Sequence, residues 1–132
     1  TVAVHPQFRF FATQNPASYA NRNRLQVSLR SNFVEILVDE FPAKEVEEIL
    51  KARDTDGQEA KNMAKVYAKL RDAGWDVSFR DLIKWQRRQS LFKQGLGVVG
   101  LQYFSQQLQR DDDKFRELHQ IFKKTYKAQV PD

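Results

Sequence analysis

Cysteine is absent from the 132-residue chain, and histidine occurs only twice, as His5 and His119. The first absence excludes disulfides and thiol chemistry. Neither histidine has a ligand-spaced partner, so no set of three or four converging metal ligands and no Ser-His-Asp constellation is expected. No apolar stretch approaches the length that spans a bilayer, and no charged-then-apolar leader opens the sequence, so no membrane partner is expected. Repeats, low-complexity tracts and linkers are missing too. The first residue is Thr1 rather than methionine, which fits a processed protein or an excised fragment. Basic residues exceed acidic ones only mildly, 22 against 17 for a net charge of +5. That excess suits an acidic surface or phosphate ligands and falls short of a nucleic-acid arm.

What remains is ordinary for a globular domain: 41% hydrophobic and 30% charged residues in a length that suits one domain with a real core. Ten phenylalanines stand out and point to extensive burial or a large interface. Residues 8–13, Phe-Arg-Phe-Phe-Ala-Thr, read as a strand stopped by Asn15-Pro16. Residues 33–38 read as a second strand, with Val34, Ile36 and Val38 on one face and Leu37 on the other, as in a sheet buried on both sides. After Pro42 the period changes to a helical one, with Glu45, Glu47 and Glu48 at the start and Val46, Ile49 and Leu50 on one face.

Asp54 to Gly57 form a turn. A helix from about Gln58 to Asp72 buries Ala60, Met63, Tyr67 and Leu70. Ser78-Phe79-Arg80-Asp81 is a capping box that opens a helix running to about Phe92. A glycine loop over residues 95–100 leads to a helix with Leu101, Phe104 and Leu108. The last helix begins at Asp111-Asp112-Asp113, buries Phe115, Leu118, Phe122 and Tyr126, and closes on Lys123, Lys124 and Lys127. The expected layout is two strands followed by about five helices. Two strands alone make a poor sheet.

Few segments carry chemistry. Gly95 to Gly100, Gly-Leu-Gly-Val-Val-Gly, has the G-x-G-x-x-G spacing but neither the preceding strand nor the βαβ setting of a dinucleotide site, so a helix-to-helix loop is the better reading. Asp54-Thr55-Asp56-Gly57 lacks the rest of a calcium loop. The basic clusters Arg22, Arg24, Arg30 and Lys84, Arg87, Arg88, Lys93 lack interleaved aromatics on one exposed face, and the second reads as the outer side of an amphipathic helix. No sequence-specific nucleic-acid binding is expected. Asn15, at the C-terminal edge of the first strand, lies where α/β sheets place ligand-contacting groups, and its amide can orient a water beside a phosphate. Taken by itself the segment is better read as an Asn-Pro turn in which Asn15 caps its own backbone.

The order of segments is more specific than any one of them. His-Pro-Gln-Phe-Arg-Phe-Phe-Ala-Thr-Gln-Asn-Pro (5–16), then the block from Leu29 to Leu50, then Val77-Ser-Phe-Arg-Asp-Leu-Ile-Lys-Trp85, resembles the midasin family of giant, dynein-related AAA+ ATPases. The resemblance implies that the chain is the C-terminal part of one AAA+ module. The implied fold is mainly α with a small β part: residues 1–41 hold the last two strands of the α/β core, and 42–132 form a helical lid. It further implies that Asn15 is sensor 1, that Arg80 is sensor 2 and meets the nucleotide phosphates from the lid, and that Arg30 is the candidate arginine finger. Family modules commonly read Phe-Arg-Asn-Arg-Phe where this chain has Leu29-Arg30-Ser31-Asn32-Phe33, so Asn32 stands at the second arginine position. That departure matters because an arginine finger contributes roughly 10³–10⁵ in rate.

The P-loop motif is missing, and in that family both it and the magnesium-holding strand precede sensor 1. ATP and Mg²⁺ are therefore expected as cofactors of the full-length parent and not of this segment. The implied partners are neighbouring AAA+ modules of the same chain and the pre-60S ribosomal particle with its assembly factors, in nucleolus and nucleoplasm. Self-association of the isolated segment through orphaned strand edges is a further expectation. Two other readings stay open: a MoxR-like AAA+ chaperone ATPase, and a non-enzymatic helical interaction domain.

Overall fold

The computed structural model describes residues 1–15, 26–92, 94–108 and 111–132. They form two compact units, residues 1–38 and residues 39–132. Among the described residues every regular element is helical: α1 (Val27–Arg30), α2 (Ala43–Ala52), α3 (Gly57–Asp72), α4 (Phe79–Phe92), α5 (Leu96–Ser105) and α6 (Asp112–Tyr126), with a closing 3₁₀ turn at Lys127–Gln129.

The mainly α class expected from sequence is thus what the structure has, and the five long helices fit a helical lid. The small β part is not seen. Residues 8–13 and 33–38 carry no strand, and Val34, Ile36, Leu37 and Val38 are each at least 83% exposed. Strand propensity is realised only when ladder hydrogen bonds and a covered face accompany it. The described part of the first unit supplies neither. It has a turn in which Phe8 N–H donates to His5 C=O (2.9 Å), a tilted Phe10–Phe33 ring contact at 5.9 Å, and the single helical turn α1.

The second unit is built on strong local signals. Pro42 precedes α2 with its N–H already dispensed with, and Glu47 and Lys51 pair along the helix at 2.8 Å. Asp56 caps α3 by accepting from the N–H groups of Gln58 (3.0 Å) and Glu59 (3.4 Å), so the Asp54–Gly57 turn is a helix entry. Asp111 caps α6 through Lys114 N–H (3.1 Å). At the head of α4, Asp81 accepts from both the N–H (2.9 Å) and the hydroxyl (3.0 Å) of Ser78, and its other oxygen accepts from Tyr103 on α5 (2.7 Å). The capping box therefore also ties α4 to α5. Burial and that hydrogen bond push the Tyr103 hydroxyl up to about 12.

α2 packs on α3, α3 on α6, α6 on α5 and α5 on α4. Their inward stripes meet around Trp85, which is fully buried with Phe104, Phe122, Met63, Leu70 and Leu118. Of the stripe expected on α6, Leu118, Phe122 and Tyr126 are buried, while Phe115, a turn closer to the helix start, is 43% exposed. The C-terminal residues fold back over α6 and α5. Val130 is fully buried, Lys123 donates to its carbonyl and pairs with Asp132 (2.9 Å), and Gln129 accepts from Gly97 N–H (3.3 Å).

The Gly95–Gly100 segment is not the loop expected from its composition. Gly95 caps α5, and Gly97 and Gly100 lie inside its first two turns. A Cβ at Gly97 would stand 2.6 Å from Cβ and Cγ of Tyr126, and one at Gly100 would stand 2.5 Å from both Trp85 Cζ2 and Phe122 Cε1. The glycines let the backbone of α5 lie directly on aromatic rings. They sit in a helix because hydrophobic neighbours on the same face repay their poor propensity.

Candidate functional site

Asn15 and Arg30 belong to the first unit and Arg80 to the second. Asn15 is exposed and immediately precedes residues 16–25, which lie outside the described residues together with Pro16, Arg22 and Arg24 of the sequence motifs. Arg30 is the last residue of α1, and its helical turn places it five residues from Glu35. The two make a bidentate pair, Arg30 Nε to Glu35 Oε1 at 2.6 Å and Arg30 Nη2 to Glu35 Oε2 at 2.9 Å. Asn32 donates to Ser28 C=O at 3.0 Å. That bond closes the turn that presents Arg30.

The pair has a measurable signature. Hydrogen bonding to Arg30 holds the Glu35 carboxyl below its ordinary value, and the carboxylate in turn raises the Arg30 guanidinium. A depressed carboxyl favours the paired form at pH above its ordinary value, and that preference disappears as pH falls through the lowered one. Arg30→Ala is expected to return Glu35 upward toward ordinary carboxylates, read by carboxyl-carbon NMR titration. Because both side chains are about half exposed, the same substitution should leave the thermal midpoint of the second unit where it was.

Arg80 is exposed on the first turn of α4, one residue before the Asp81 hub. No hydrogen bond or ion pair to its side chain occurs among the described residues. A helix start carries positive partial charge and open N–H groups, so an exposed guanidinium there can meet a phosphate. Phe79 packs edge-on against Phe41 (5.3 Å), which fixes the orientation of this turn within the second unit.

The other sequence candidates resolve into structure. His119 shares a hydrogen bond of 2.7 Å with Pro131 C=O, His5 is in the first-unit turn, and no cluster of metal-ligating residues occurs among the described residues. Lys84 and Arg87 are exposed on the outer side of α4, as its amphipathic period implies, while Arg88 lies over the Tyr103 ring at 4.8 Å; Lys93 is outside the described residues. A hydrophobic run ending in Asp-Glu, the residue order of a magnesium-holding strand, occurs over residues 34–40. It forms no strand here, and Glu40 is ion-paired with Arg71.

The chain is similar to a stretch of midasin. It is 32% identical to midasin of Dictyostelium discoideum over 142 aligned positions that take in 98% of the chain. The chain spans about 2% of the length of that curated relative. No family model matches the chain, and no solved structure does. With 98% of the chain covered, the segments carrying Asn15, Arg30 and Arg80 all fall within the matched stretch.

Proposed function

We propose that the chain is the C-terminal part of one AAA+ module of a midasin-like ATPase. The observation that carries this reading is the similarity to midasin along nearly the whole chain, joined to a five-helix second unit of lid type. In this reading residues 1–41 complete the α/β core and residues 42–132 are the lid. The exposed apolar residues from Val34 to Val38 are then strand residues whose partners belong to the rest of the module. Asn15 orients the attacking water, Arg80 meets the phosphates from the lid, and Arg30 reaches a neighbouring module's nucleotide once it leaves Glu35. The parent uses ATP and Mg²⁺ to remodel pre-60S particles and release assembly factors in nucleolus and nucleoplasm.

The test uses ATP binding and turnover at two lengths. The 132 residues alone should show no ATP hydrolysis above buffer, because the P-loop lies elsewhere. In a longer segment of the parent that includes the P-loop, Arg80→Ala should weaken ATP binding by about tenfold to a hundredfold, the worth of one charge-assisted hydrogen bond of about 1.5–3 kcal/mol. Asn15→Ala should lower turnover with little change in ATP affinity. Hydrolysis by the short chain, or unchanged affinity in the Arg80 variant, would sink this reading. A helical interaction domain without enzymatic ancestry is favoured by one observation, the closed core of the second unit. It requires both substitutions to be silent.

A further inference from the structure

The last two turns of α4 hold Arg87-Arg88-Gln89-Ser90-Leu91, a serine with guanidinium groups three and two residues before it and an apolar residue after it. No other serine or threonine of the chain has arginine at both positions. We propose that Ser90 is a phosphorylation site for an arginine-directed serine/threonine protein kinase. Paired guanidiniums at this spacing suit carboxylates in a kinase's substrate groove, where planar, charge-assisted bonding discriminates arginine from lysine. Leu91 supplies the apolar contact next to the acceptor.

The fold leaves the motif within reach. Ser90 is exposed and two residues from the end of α4, and Leu91 and Phe92 beyond it are 76% and 63% exposed. Its hydroxyl donates only within the last turn, to Arg87 C=O at 2.7 Å. Helix ends open at low cost, because their final carbonyls have no intrahelical partner and here no large side chain after Trp85 is sealed in the core. Extending the segment into a kinase groove asks Arg88 to leave Gln106 Oε1 (3.1 Å) and the Tyr103 ring, and asks nothing of the buried Trp85 cluster.

In the reaction the Ser90 oxygen forms a bond to the γ-phosphorus of ATP and the bridging bond to ADP breaks. The hydroxyl proton passes to the kinase's base. Ser90 lines an open groove of about 310 Å³ together with Arg53 and Arg87, and also with Asp54 and Glu59. Arg53 is held there by Gln86, which accepts from its Nε (3.3 Å) and donates to its carbonyl (2.9 Å). A phosphoryl group bringing about −1.5 to −2 charge shares that groove with Arg53 and Arg87, but also with Asp54, Glu59 and the negative end of α4, so it lowers the positive charge of the outer face and loosens the last turn.

The experiment incubates the folded 132-residue chain with γ-labelled ATP and the catalytic subunit of the cyclic-AMP-dependent protein kinase, with peptide mapping by mass spectrometry. Labelling should approach one phosphoryl group per chain, on Ser90. Ser90→Ala should abolish it while retaining the helical circular-dichroism spectrum. The Arg87→Ala/Arg88→Ala pair should lower kcat/KM at least about tenfold, as the loss of charge-assisted bonds requires. Labelling that survives Ser90→Ala overturns the proposal. So does a folded chain that stays unlabelled while a peptide of residues 84–94 is labelled, since the motif would then be closed off by the fold.

Discussion

Gly100→Ala, the addition of one methyl group, is expected to lower the thermal midpoint of the second unit by roughly 10 °C. In an ordinary helix this exchange stabilises by roughly 0.5–1 kcal/mol, because alanine has the better propensity. At Gly100 the new Cβ would meet Trp85 Cζ2 and Phe122 Cε1 at 2.5 Å, and Trp85 Cε2 nearer still. Both rings are fully buried and neither can swing aside, since Phe104 and Tyr126 pack against both. α5 must therefore lift from α4 and α6. Overpacking costs about 1–3 kcal/mol and sometimes more, and contact this close with two buried rings belongs at the upper end, so the net loss is about 2 kcal/mol after the propensity gain. For a unit of this size each kcal/mol is worth roughly 4–8 °C. Gly57→Ala is the control: its nearest neighbour would be the flexible end of Lys51 at 3.5 Å, and it should be neutral or slightly stabilising. Circular-dichroism melts of the two variants decide the matter, and equal midpoints would show that α5 is not held against the rings.

The same glycines show what was and was not legible in the sequence. Helices α2, α3, α4 and α6 announce themselves through caps and 3.6-residue stripes, and their buried residues follow the stripe: Val46 and Leu50, Ala60 through Leu70, Leu82 and Trp85, Leu118 and Phe122. These are local signals acting within a few residues. α5 begins earlier than its sequence suggests because its glycines are selected by what lies across from them, and propensity carries no record of Trp85 or Phe122. Residues 33–38 fail in the opposite direction. Their β-branched alternation is real, but a strand exists only with a neighbour, and periodicity cannot reveal whether one is present. Among the candidate residues, the exposure of Arg80 follows from its place on the polar side of a capped helix. The Arg30–Glu35 pair was not foreseen. A five-residue separation has no meaning until α1 is known to turn the chain.

Replacing Trp85 should produce a still larger loss than filling Gly100, and the two experiments test one contact from opposite sides. Trp85 is fully buried, with ring centroids 5.8 Å from Phe104, 5.4 Å from Phe122 and 6.0 Å from Tyr126. Its indole N–H donates to Leu96 C=O at 2.8 Å, the carbonyl at the first residue of α5. Trp85→Ala removes the ring and opens a cavity, at about 3–5 kcal/mol. A unit of this size holds roughly 5–14 kcal/mol in all, so the variant should sit near the edge of folding at 37 °C. Trp85→Phe separates the contributions: it keeps part of the ring packing but loses the indole N–H bond to Leu96, whose carbonyl keeps its place in the α5 ladder, so the bond itself is worth about 0.5–1.5 kcal/mol. Phenylalanine also lacks the indole atoms closest to Gly100. In the Trp85→Phe background Gly100→Ala should therefore cost less than it does alone, with a coupling of about 0.5–3 kcal/mol measured from urea unfolding of the four proteins. Additive losses would mean that Gly100 yields to Phe122 alone. A positive coupling would locate the constraint on α5 at the indole itself, where one side chain both occupies the centre of the second unit and fixes the start of the helix that covers it.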